Sequence, residues 1–146
     1  MEDMKTRSIM DEQTSAEQKK HILVVDDSKD MRVLMEQLLE KAGYRVVFAE
    51  DGQTSLTQAK RYHPDLILMD LSLPDIDGWE AVGHLRKMSE FRTTPIIAVT
   101  AHVAPFDEER AMAVGCTAHI GKPFDTRVLL REVARLLTGR SIVHGT

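Results

Sequence analysis

Apolar residues in this chain fall into two alternating kinds of segment. Ile22-Leu23-Val24-Val25 is a short, uninterrupted, β-rich run, the pattern of a parallel strand covered on both faces. Behind it, Met31, Leu34, Met35, Leu38 and Ala42 recur at the spacing of one helical face. Ser28 stands where an N-cap belongs and Gly43 where a helix ends. The alternation then repeats. A second strand is predicted over 45–49, then a helix over 51–62 stopped by Pro64. Leu66-Ile67-Leu68-Met69 reads as a third buried strand, and Gly78 opens a third helix running to about 88. A fourth strand is predicted over 95–99, just before Thr100, and a helix over 105–114 is closed by Gly115. A short fifth strand over 118–120 precedes a last helix, N-capped by Asp125 and ended by Gly139. That helix has Leu129, Leu130, Val133, Ala134 and Leu137 on its apolar face. Five strands alternating with five helices define an α/β fold, a doubly wound parallel sheet with helices on both faces. Such a sheet binds ligands at the carboxyl ends of its strands.

Composition narrows the picture. Residues 1–20 are polar, carry both signs of charge and lack aromatics, so they are predicted to form a flexible leader. The folded domain is expected over 21–138, with 139–146 as a tail too short for another domain. A length of 146 residues suits one domain, and no internal repeat is visible. A net charge of −4 argues against a nucleic-acid-binding surface. No apolar run is long enough to insert in a membrane, and the N-terminal region lacks the apolar core of a secretory signal. With its single Cys116, which cannot form an internal disulfide, the chain is expected in the cytoplasm. Cys116 itself reads as a small buried residue with no neighbouring base to activate it.

Candidate chemistry lies at the strand ends. The first strand runs into Asp26-Asp27, the third into Asp70, the fourth into Thr100, and Lys122 follows the fifth. The fold rule gathers all four at one edge of the sheet. Three adjacent carboxylates repel one another unless protonated or neutralised, and a hard divalent cation such as Mg²⁺ is the usual neutraliser. A lysine beside them implies that an anion must also fit. Cation, ammonium and hydroxyl around one carboxylate describe a phosphoryl-transfer site with that carboxylate as nucleophile.

Four segments together resemble the receiver domains of bacterial two-component response regulators. They are Ile22-Leu23-Val24-Val25-Asp26-Asp27, Leu68-Met69-Asp70 through Gly78, Ile97-Ala98-Val99-Thr100-Ala101, and Gly121-Lys122-Pro123-Phe124. Each alone is common; all four in this order are specific, and the likeness spans 21–137. It implies the flavodoxin-like strand order 2-1-3-4-5 and a single-domain signalling protein. Asp70 would be the phosphoacceptor, assisted by Thr100 and Lys122. Asp27, Asp70 and the backbone carbonyl of Ser72 would ligate Mg²⁺, with Asp26 acting mainly through a metal-bound water. Lys122 would pair with the phosphoryl group, or with Asp70 in its absence, and the Lys122–Pro123 bond would be cis. The implied partners are a histidine kinase or histidine phosphotransfer protein and a downstream protein target. The domain would assist its own phosphorylation and dephosphorylation without being an enzyme in the ordinary sense.

The chain departs from the family where Tyr or Phe commonly stands three residues before the lysine. Here that residue is His119, which could act as the switch ring that follows Thr100 or be a plain strand-end histidine. Ser72 and His102 hold the two positions that flank the path of attacking water in the family. Asp75, Asp77 and Glu80 read as a solvated acidic loop. Two other readings compete. A phosphohydrolase of the haloacid-dehalogenase type also uses an Asp after a strand, but its Asp-x-Asp motif fails at Ser72. A degenerate, binding-only receiver would lack a site residue, and none is missing.

Overall fold

The computed structural model describes residues 19–71, 73, 78–101 and 105–138, with the side chains of 105–107 excepted. Residues 1–18 of the expected leader, Gly139 and the 139–146 tail, Ser72, Pro74, Asp75, Asp77 and His102 lie outside the described residues.

The elements follow the expected alternation: β1 (His21–Val25), α1 (Lys29–Lys41), β2 (Arg45–Ala49), α2 (Gly52–Tyr62), β3 (Leu66–Met69), α3 (Gly78–Lys87), β4 (Ile96–Thr100), α4 (Pro105–Val114), β5 (Ala118–Gly121) and α5 (Thr126–Thr138). All strand pairings are parallel, in the order β2-β1-β3-β4-β5. The three central strands are buried almost throughout, while β2 and β5 at the edges are half-covered. That explains why the central runs are uninterrupted in sequence and the outer ones mix in Arg45 and His119.

Side chains alternate along each strand and feed two cores. Leu23, Val25, Ile67, Met69, Ile96 and Ala98 pack with α2, α3 and α4, through Ala59, Val82, Leu85 and Ala111. Ile22, Val24, Leu66, Leu68, Ile97 and Val99 pack with α1 and α5, through Met35, Leu39, Leu129 and Val133. Helices on both faces leave only the ends of the sheet open, which is where polar groups can gather.

Local chemistry sets the helix ends. The Ser28 side chain accepts from the Met31 amide and the Asp51 side chain from the Thr54 amide, while Asp125 accepts from the Arg127 amide. Gly43 and Gly115 both take positive φ just past α1 and α4. Helix α2 ends at Tyr62, as expected, and its C-cap is His63, in the left-handed region at φ 46°, one residue before Pro64.

Helix α1 is rotated from the expected face. Met35 and Leu39 are buried, whereas Leu34 is 40% exposed and Ala42 lies in the open last turn. Helical spacing alone fits both stripes. The position of β2, which brings Tyr44, Val46 and Phe48 against this core, selects the one containing Leu39.

A short 3₁₀ turn, Ser89–Phe91, was not expected from the pattern. It is anchored by buried Phe91 and by Arg86, whose guanidinium donates to the carbonyls of Phe91, Thr94 and Gly115.

Candidate functional site

The amide of Asp26 donates to Ala49 O and that of Asp70 to Val25 O, so both residues extend the sheet one step beyond β1 and β3. Both are buried, at 4% and 7% exposure, while Asp27 is exposed. Buried carboxylates must be compensated, and here the compensation is Lys122. Its Nζ lies 2.7 Å from Asp26 Oδ2 and 3.3 Å from Asp70 Oδ2. The Lys122 amide donates to Thr100 O, which ties the lysine to the end of β4. The Lys122–Pro123 bond is cis, as the resemblance implied.

Lys122 meets Asp70, as the resemblance implied, and adds a second, shorter contact with Asp26. The Ser28 amide holds Asp26 Oδ1 at 2.9 Å, and Oδ2 is the oxygen that meets the ammonium. Burial disfavours the ammonium, but the hydrogen bond to Asp26 and the charges of Asp70 and Asp26 outweigh it and raise the pKa of Lys122. Because the folded value is raised, this stabilisation is complete below the ordinary lysine value. It is lost only as pH climbs through the raised one, so the contact persists across neutral pH.

Asp26, Asp27 and Asp70 each offer a carboxylate oxygen, and these oxygens lie within 4.8 Å of one another. One ammonium does not balance three carboxylates. An all-oxygen donor set, open to solvent through exposed Asp27, fits a hard cation that keeps several waters, as Mg²⁺ does. Glu80 is exposed and is not part of the cluster.

Thr100 is fully buried at the end of β4. By alternation it shares the face of Ile96 and Ala98, the side covered by α4. His119 pairs with Ala98 in register, and its neighbours Ala118 and Ile120 belong to the opposite core. Thr100 and His119 therefore face the same layer from adjacent strands. His119 is half-buried, not an open strand-end residue.

Gly78 does more than open α3. Its amide donates to Leu71 O, and a Cβ there would collide with the Asp70 carbonyl oxygen and stand 2.5 Å from Leu71 Cα. Glycine thus lets α3 start directly against the backbone that presents Asp70. Trp79, the next residue, packs on the α2–α4 core and carries the Arg110 guanidinium over its ring, 4.2 Å from the centroid. Cys116 is 4% exposed and burial pushes its thiol up to about 12, in keeping with the inert reading.

A five-stranded parallel sheet in this order, with Asp26, Asp27, Asp70, Thr100 and Lys122 gathered at its carboxyl edge, defines a receiver domain. Residues 22–134 match the response regulator receiver domain family, and the chain belongs to it. It is 40% identical over 118 residues to the polar-differentiation response regulator DivK of Brucella ovis, covering 81% of this chain and 96% of that protein. The chemotaxis protein CheY4 of Vibrio cholerae superposes with a TM-score of 0.78 at 34% identity, over 82% of this chain and 99% of that one. The receiver domain of a Pseudomonas aeruginosa sensor histidine kinase, described with a magnesium ion coordinated in its active-site cleft, gives 0.77 at 34% identity, over 82% and 98%. Receiver domains are signalling phosphoacceptor domains, not enzymes of the ordinary kind, so the haloacid-dehalogenase reading falls away. Among the described residues no helix is long and apolar enough to cross a membrane.

Proposed function

We propose that this chain is a cytoplasmic, phosphorylation-activated signalling protein whose folded part spans 21–138. A carboxylate oxygen of Asp70 attacks the phosphorus of a phosphohistidine on a histidine kinase or histidine phosphotransfer protein. The phosphorus–nitrogen bond breaks as the new bond forms, and the electron pair leaves with the imidazole. The observation that carries this reading is the Lys122 ammonium held between buried Asp26 and Asp70 beside exposed Asp27.

Asp27 and Asp70 would hold Mg²⁺ with the carbonyl of Ser72, and Asp26 would act less directly. Bound there, the cation offsets the carboxylate repulsion and the charge on the transferring oxygens. Lys122 exchanges its contact with Asp70 for one with the phosphoryl group, and the Thr100 hydroxyl donates to another phosphoryl oxygen. Incubation with acetyl phosphate tests the reading. Incorporation that requires Mg²⁺ and stops on chelation is expected; incorporation indifferent to chelation contradicts it.

Output passes through α4. Movement of Thr100 toward the phosphoryl group vacates space on the layer that His119 also faces, and the His119 ring follows. The face of α4, β5 and α5 then shifts along a pre-existing equilibrium and changes what it binds. A downstream protein target, relay to another histidine, or draining of a shared kinase are the outputs this allows. Thr100→Ala is expected to accept phosphate yet lose most of the amide chemical-shift response over 110–114 and at His119. An undiminished response there would remove the hydroxyl from the coupling.

A further inference from the structure

Asp26 is held at every polar atom: its amide by Ala49 O, Oδ1 by the Ser28 amide, Oδ2 by Lys122, and its carbonyl by Arg32. The last contact, Arg32 Nη1 to Asp26 O at 2.8 Å, comes from half-buried Arg32 in the first turn of α1. Asp27 is the opposite case. It is exposed, and among the described residues its carboxylate makes no hydrogen bond or ion pair. The point from which it projects is therefore set by the main chain that carries it. The Asp26 carbonyl and the Asp27 amide belong to one planar peptide unit, so a donor that fixes the carbonyl fixes the plane from which Asp27 projects.

We propose that Arg32 is a positioning residue for the cation site, acting through the Asp26–Asp27 peptide to aim Asp27. The proposal rests on the Mg²⁺-dependent reading above and goes beyond the side chains that touch the cation or the phosphoryl group. A guanidinium suits the task because it keeps its charge and holds its donors in a rigid plane. Helix α1 is itself fixed at this point, since the Arg32 amide donates to Ser28 O.

Charge and positioning predict opposite signs, which makes the proposal sharp. Arg32 is a cation near a cation site, so if only its charge mattered, removing it would tighten Mg²⁺ binding. If it positions Asp27, removing it weakens binding, by about tenfold for a residue that orients a ligand without touching the metal. The test is Mg²⁺ titration by calorimetry of wild type, Arg32→Met and Arg32→Lys, with the metal-free melting midpoint of each as a control on folding. A dissociation constant raised about tenfold in folded Arg32→Met supports the proposal. One equal to or below the wild-type value overturns it. Should Arg32→Met not fold, Arg32→Lys decides by the same criterion: weaker binding supports, equal or tighter binding overturns. A wild-type chain that binds no Mg²⁺ overturns the metal reading and this proposal together, whereas normal wild-type binding with unaffected variants overturns this proposal alone.

Discussion

Asp70→Asn is expected to take up no phosphoryl group from acetyl phosphate, and to melt higher than wild type when divalent cations are chelated. The first effect follows from chemistry: an amide oxygen is too weak a nucleophile to replace a carboxylate. The second follows from the charges at the site. Removing the Asp70 charge eliminates two repulsions, with Asp26 and Asp27, and one attraction, with Lys122. The shorter Lys122–Asp26 contact remains. The balance favours the variant by roughly one pair's interaction, which solvent on the Asp27 side reduces to the order of 1 kcal/mol. For a domain of this size that is a few degrees in melting midpoint. Thermal denaturation in chelator and phosphate incorporation measure the two effects separately. A lower midpoint would mean that Asp70 is stabilised by something other than the lysine, and undiminished incorporation would remove it as the acceptor.

The second large effect is at Lys122. Lys122→Met leaves two buried carboxylates facing each other without their shared ammonium. Stripping one partner from a buried ion pair costs about 3 kcal/mol, and the metal-free variant should be destabilised by that order. Mg²⁺ should restore much of the loss, because a cation that binds only the folded state stabilises it by linkage. The rate of phosphorylation should nevertheless stay about 10²-fold low at saturating Mg²⁺, since one donor to the transferring oxygens is gone. Denaturant titrations with and without Mg²⁺, paired with single-turnover phosphorylation, check both parts. A metal-free stability equal to wild type would show that the lysine contact contributes little, and a normal rate would show that the ammonium does not touch the transferring group.

Much of this was legible in the sequence, for identifiable reasons. The central strands are buried on both faces, so Ile22 to Val25, Leu66 to Met69 and Ile96 to Thr100 are nearly pure apolar runs. Function sits where those runs stop, which made Asp26, Asp27, Asp70 and Thr100 readable as strand-end residues, and the parallel topology brought Lys122 to the same edge. What was not legible depends on tertiary detail. The α1 stripe was misjudged because Leu34 and Leu39 both satisfy helical spacing, and only packing against β2 and α5 separates them. Arg32 was missed because an arginine in a first helical turn is ordinarily a solvated charge; its target is a main-chain carbonyl, which leaves no mark in side-chain spacing. Arg86 was missed for the same reason, all three of its short contacts being to carbonyl oxygens. The contact of Lys122 with Asp26, beside the one with Asp70, is a distance in space that spacing along the chain does not report. Gly78 was read as a helix start, correctly, but its close approach to the Asp70 carbonyl is a distance in space.

The central claim is that Asp70 is the residue that becomes phosphorylated. The direct measurement is intact-mass analysis of the wild-type chain after exposure to acetyl phosphate and Mg²⁺, followed by borohydride reduction and peptide mapping. Reduction converts an aspartyl phosphate to homoserine and so marks the acceptor covalently. A single phosphoryl adduct, with homoserine at Asp70 and nowhere else, is the expected result. No adduct, or an adduct mapped to Asp26, Asp27, a histidine or a hydroxyl, would contradict the account.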